Sequence, residues 1–144
     1  PGDQAQGETV RNISFSMTKD QVYRSHAMMT AILKPGAVRP DPLKDVTRRN
    51  GWAFLQVGDK LQGCEKCQGL GKGGKIVHIC VIVVLDVRLE PLRRMTDDPA
   101  YGREECRREG FPDMTPAEFV MFFCKGHKGV TPATILTRIE FGYA

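Results

Sequence analysis

Ile76-Val77-His78-Ile79-Cys80-Val81-Ile82-Val83-Val84-Leu85-Asp86-Val87-Arg88-Leu89 is the stretch that decides the fold, because β-branched side chains crowd it more densely than any other part of the chain. A run so rich in Val and Ile reads as a long, central strand. At its widest apolar part, Ile76 to Leu85, it is interrupted by His78 and is too short to cross a bilayer. His78 reads as a core histidine within it.

Working outward, Gly69-Leu70-Gly71-Lys72-Gly73-Gly74-Lys75 precedes the strand as a flexible, basic hairpin loop. Val57-Gly58-Asp59-Lys60-Leu61 reads as a turn into an earlier strand. On the far side, Asp97 or Asp98 caps a helix through Arg108, with Gly110 as its stop, and Thr115-Pro116-Ala117-Glu118 is a capping box with proline in the first turn. The helix it opens carries Phe119, Val120, Phe122 and Phe123 as a core face. Ile135 to Tyr143 alternates and closes the chain as a strand. Toward the other end, Asn12 to Met17 alternates as a first strand. Thr18 with Gln21 reads as a capping box for a helix to about Met29, and the prolines at 35, 40 and 42 force a stiff loop.

Strands interspersed with short helices predict an α+β fold, a mixed and mainly antiparallel sheet curled toward a small barrel with helices on its flank. The 144 residues suit one domain over 12–144, and Pro1 to Arg11 reads as a frayed tail or an expression remnant. Hydrophobic residues at 41% and charged residues at 26% exclude a disordered chain. A net charge of +4 favours a polyanionic partner without requiring one. Five cysteines, an odd number, with Cys80 inside the apolar strand, predict reduced thiols, and with no signal-like segment the expectation is a cytoplasmic protein, off the membrane.

The densest polar cluster is Lys44-Asp45-Val46-Thr47-Arg48-Arg49, delivered by the proline loop and followed by Asn50-Gly51-Trp52. As pattern alone it fits a binding site at a loop junction and fits equally a solvated edge with an ordinary strand threonine. A threonine hydroxyl needs a base, and a lysine serves only if burial and neighbouring cations lower its pKa. Arg48 and Arg49 are such neighbours. In a straight strand, positions 44 and 47 face opposite ways, so a dyad requires a bend after Pro42. Arg103, Arg107 and Arg108, interleaved with Glu104, Glu105 and Glu109, read as a solvated helix face except at the Glu109 end. Cys64-x-x-Cys67 and Cys124-x-x-His127 supply zinc-type ligands, but their separation makes free thiols the expectation and no metal or cofactor is assigned.

Ser14-Phe15-Ser16-Met17-Thr18, Lys44-x-x-Thr47-x-Arg49, Val57-Gly58-Asp59, Glu109-Gly110-Phe111 and Thr137-Arg138-Ile139-Glu140-Phe141 occur in the order found in ASCH domains, and over residues 12 to 143 the chain resembles that family. Pro42 stands where the family's Gly-x-Lys-x-x-Thr-x-Arg segment has glycine, and residues 24 to 42 read as an insertion. The resemblance implies a PUA-like barrel whose cleft accepts RNA or a modified nucleoside. Some members hydrolyse the amide of N4-acetylcytidine, while others are described as ribonucleases or non-catalytic RNA-binding modules. Carried over by position, Lys44, Thr47 and Glu109 would be catalytic. Arg48, Arg49, Trp52, Lys72 and Lys75 are the expected nucleic-acid contacts.

Overall fold

The computed structural model describes residues 10–144. Five strands, β1 (Arg11–Ser14), β2 (Val46–Arg49), β3 (Lys60–Cys64), β4 (His78–Pro91) and β5 (Ile135–Tyr143), form one sheet in the order β1-β3-β4-β5-β2. β1 pairs with β3 in parallel, and every other pairing is antiparallel. Four helices complete the chain: α1 (Lys19–Thr30), α2 (Arg94–Asp97), α3 (Pro99–Glu109) and α4 (Pro116–Gly126). The architecture is therefore α+β with a mixed sheet, and the long apolar run is its central strand. Among the described residues, no helix is long and apolar enough to cross a membrane.

The sheet curls into a half-barrel. Its two edge strands are not hydrogen-bonded to each other, yet Arg49 at the end of β2 donates from Nη2 to the Ser14 carbonyl of β1 at 2.6 Å. A register shift between Val84 and Asp86 bends β4 where it passes from β3's neighbourhood to the outer part of β5. Inside the curl, Ile13, Phe15, Leu61, Ile82, Val84, Ile139 and Phe141 pack with Val22 of α1. A second cluster, Leu92, Met95, Cys106, Phe119, Val120, Phe123 and Leu136, lies beneath α2 to α4.

Local signals explain the helix ends that matter for the site. Asp98 caps α3 by accepting from the Tyr101 amide, and Gly110 takes a left-handed φ of +99° to stop it. Thr115 and Glu118 form the reciprocal capping box of α4. Gly102 of α3 sits so close to α2 that any Cβ would overlap the Met95 carbonyl oxygen and Pro116.

Four readings of the sequence need correction. Thr18 begins α1 but its side chain makes no capping bond, since Gln21 instead donates from Nε2 to the Gly110 carbonyl at 2.9 Å and ties α1 to the end of α3. The first strand starts at Arg11 and ends at Ser14, because the chain turns through Phe15 to enter α1. The tail assigned to 1–11 therefore gives up Arg11, and its residues 1–9 lie outside the described part. His78 is exposed at the start of β4, not buried in the core.

Candidate functional site

The end of α3 explains how the site assembles. A helix leaves its last carbonyls without partners, and here residues just before β2 supply them. Asp45 donates its amide to the Arg108 carbonyl at 2.9 Å, and Lys44 Nζ donates to the Glu109 carbonyl at 2.6 Å. Lys44 itself is fixed by its backbone: its amide donates to Ser25 Oγ of α1, and its carbonyl accepts from the Tyr143 hydroxyl at 2.6 Å. Because residues 44 and 45 precede the strand, the strict alternation of β2 does not apply between Lys44 and Thr47.

Both border one cavity of about 350 Å³, together with Arg48, Arg49 and Glu109. Ser14 to Thr18 form another side of it, and Phe111, Phe119, Phe122, Phe123 and His127 make an aromatic wall. The cavity thus combines cations, hydroxyls and flat apolar surface. His127 is stacked on Phe123 with ring centroids 3.9 Å apart and has Nδ1 2.8 Å from the Phe123 carbonyl. Sequence reasoning read this wall as core and His127 only as a metal-type ligand. The signal that could have found it is the spacing of Phe119, Phe122 and Phe123 just after Glu109-Gly110-Phe111.

Lys44 Nζ makes three hydrogen bonds, to the carbonyls of Val46 and Glu109 and to Glu109 Oε1 at 3.3 Å. Burial pushes the ammonium down to about 8, against the opposing pull of the Glu109 carboxylate. Arg49 Nε donates to Thr47 Oγ1 at 3.0 Å, which leaves the threonine proton available. Burial also lowers Arg49, to about 10, with Glu109 pulling the other way.

Arg48 differs from the other cations of the motif. Its side chain is 0% exposed, and it binds Glu109 Oε2, Glu90 Oε2 and Glu105 Oε1 at 2.9, 2.9 and 2.6 Å. Glu105 is gripped again by Arg138, while Glu90 also holds Arg88 and Arg94. Arg48 was expected to contact nucleic acid; its guanidinium is committed to this buried network, and its Nε has no partner there. Glu105 corrects the solvated-face reading of α3, which holds for exposed Arg103 and for the surface Glu104–Arg107 pair, while Arg108 pairs with Asp45.

Trp52, Lys72 and Lys75 do not border the cavity. Trp52, at an unusual φ of +72°, stacks on Phe54 with centroids 5.7 Å apart, and Arg11 lies 4.6 Å over the Phe54 ring. Lys72 and Lys75 are exposed in the loop between β3 and β4. All five cysteines are free thiols, and among the described residues no three side chains of His, Cys, Asp or Glu meet as a metal site.

The network predicts an acid response. Burial would raise the Glu105 carboxyl, but hydrogen bonds and charges from Arg138 and Arg48 outweigh it and hold it at about 2, below its ordinary 4.5. A carboxyl lowered on folding stabilises the protein above its unfolded value, and that contribution fades as pH falls from about 4.5 toward 2. Urea midpoints measured across this range should drop steeply for the wild type and less steeply for Glu105→Gln. Equal slopes would show that Glu105 carries none of the effect.

Comparison of the chain with protein-family models, with curated proteins and with solved structures gives no significant match, so the geometry of the cavity is what speaks for function.

Proposed function

We propose that the cavity binds a modified nucleoside, free or within RNA, and that Lys44, Thr47 and Glu109 hydrolyse an N4-acetylcytidine-type amide there, in a PUA-like fold of the ASCH kind. The observation that carries the reading is the meeting of Lys44, Thr47 and Glu109 in one cavity with an aromatic wall, although they lie 3 and 62 residues apart in the chain. A volume of about 350 Å³ suits a ligand of nucleoside size, and flat rings suit a base.

In this mechanism Thr47 Oγ attacks the acetyl carbonyl carbon and passes its proton to the neutral Lys44 amine. The carbonyl C–N bond breaks as the cytidine N4 takes up that proton, by way of Lys44 and Glu109 Oε1, which lies 3.3 Å from Nζ. Water then attacks the threonine acetyl ester, releasing acetate and restoring the hydroxyl. Lys44 must reach the amine form, and its lowered pKa of about 8 brings that form within range of neutral pH.

The test is acetate release from N4-acetylcytidine as a function of pH. kcat/KM should rise with pH through about 8, where Lys44 gives up its proton, and level off above it. The three hydrogen bonds that hold Lys44 Nζ favour a second reading, a binding module in which the lysine serves as a structural cap for α3. Protein that binds the nucleoside, releases no acetate and leaves RNA uncut would put that second reading first.

A further inference from the structure

Charge matching around the cavity leaves one group over. The buried cations Lys44, Arg48 and Arg138 are matched by the buried carboxylates Glu90, Glu105 and Glu109, and each cation lies within ion-pair distance of at least one of them. Arg49 borders the same cavity and forms no ion pair with any described residue. Glu109, the carboxylate that pulls on it, is already held by Lys44 and Arg48. The hydrogen bonds of Arg49 go to neutral oxygens, from Nε to Thr47 Oγ1 and from Nη2 to the Ser14 carbonyl, and Nη1 has no partner among the described residues.

A partly buried guanidinium without a counter-charge is costly, because desolvation is not offset by an opposite charge. The Phe15 ring centroid lies 5.4 Å from Arg49 Cζ, a weaker compensation than a carboxylate within ion-pair distance would give. Ser16, Met17 and Thr18 also border the cavity, and they lead into the 12-residue helix α1, whose N-cap Thr18 makes no side-chain capping bond. The positive end of that helix adds to the field of Arg49, offset in part by Asp20 in its first turn. Both features favour a negative occupant, and they do so whether or not an amide is hydrolysed.

We infer that Arg49 binds a small anionic group inside the cavity, a carboxylate or a phosphate, through Nη1 and the electrostatic field at the start of α1. The two sources are chemically distinct. A carboxylate is what amide hydrolysis at Thr47, whose Oγ1 lies 3.0 Å from Arg49 Nε, would leave behind, whereas a phosphate would come with a nucleotide. The proposal thus goes beyond the assigned chemistry to the charge of the occupant. It is tested by binding, not by turnover.

The experiment titrates sodium acetate and sodium phosphate separately into the protein at constant ionic strength held with chloride, following the Nε–H signals of arginine side chains by NMR and the melting temperature. The expected result is a saturable shift of the Arg49 signal and a saturable rise in melting temperature, with exposed Arg107 unmoved. A tighter response to acetate assigns the carboxylate source and a tighter response to phosphate the phosphoryl source; either supports the inference. Arg49→Gln, which keeps a donor for the Ser14 carbonyl but no charge, should weaken the anion by about tenfold or more, the scale of a charge-assisted hydrogen bond. If that variant does not fold, the wild-type Arg49 and Arg107 signals decide alone. Shifts equal at Arg49 and Arg107, absent at both, or matched by chloride would overturn it. Anion binding at Arg49 in a protein that releases no acetate would sink the amide reading and leave this one standing; acetate release with no anion response at Arg49 would do the reverse.

Discussion

Arg48→Met should destabilise the protein by about 3–5 kcal/mol at neutral pH, the cost of removing one partner from a buried ion cluster. Methionine fills similar space, so the loss is chiefly electrostatic. Glu109, Glu90 and Glu105 all turn a carboxylate oxygen toward the Arg48 guanidinium within 2.9 Å, and their side chains are at most 5% exposed. Glu105 keeps Arg138 and Glu109 keeps Lys44, but three carboxylates then share fewer buried cations. Urea unfolding gives the size of the loss, and its pH dependence identifies the cause. In the variant the carboxylates protonate at higher pH, so the gap to the wild type should narrow as pH falls toward about 4. A loss under about 1 kcal/mol, as for exposed ion pairs, would mean that water reaches the network.

Thr47→Ala should abolish acetate release by about a thousandfold or more while leaving the fold intact, because it removes the nucleophile and only one hydrogen bond, that from Arg49 Nε. Lys44→Met should cost nearly as much activity, and the double variant little more than either alone, since members of one catalytic unit are not additive. The two differ in stability. Lys44 closes the end of α3 by its bond to the Glu109 carbonyl, so its loss lowers the melting temperature, whereas the loss of Thr47 barely does. Glu109→Gln keeps the shape but loosens both Lys44 and Arg48, so it should slow turnover more than it weakens binding. Activity that survives Thr47→Ala would remove the threonine from the mechanism.

What could be read in the sequence was local. The central strand, the closing strand, the Gly110 stop and the Thr115 capping box depend on side chains within a few residues of one another, and each has its expected form. The Lys44–Arg49 cluster was visible as a concentration of charge. Its internal division of labour was not. Whether Arg48 points to solvent or into a network depends on Glu90 and Glu105, which are 42 and 57 residues away and not marked by any local pattern. Glu104 and Glu105 are adjacent and chemically alike, yet one pairs with Arg107 at the surface and the other with Arg138 across the core. The helix face that α3 buries is set by where β5 presents Arg138, a tertiary fact. The aromatic wall was legible only in part: Phe119 and Phe123 do pack in the core as expected, and that they also border a cavity has no local signature, since apolar helix faces look alike in both roles. Trp52, Lys72 and Lys75 were grouped with the site by residue type, and the curl of the sheet leaves them outside its lining.

The central claim is that a nucleoside enters the cavity between Thr47, Arg49 and the aromatic wall. Titration of N4-acetylcytidine into isotope-labelled protein, followed residue by residue by NMR, tests it most directly. Saturable shifts should cluster at Thr47, Arg49, Glu109, Phe111 and Phe122, with Lys72 and Lys75 unmoved. Shifts confined to Trp52, Phe54 and the Lys72–Lys75 loop, or no shifts at all, would contradict it.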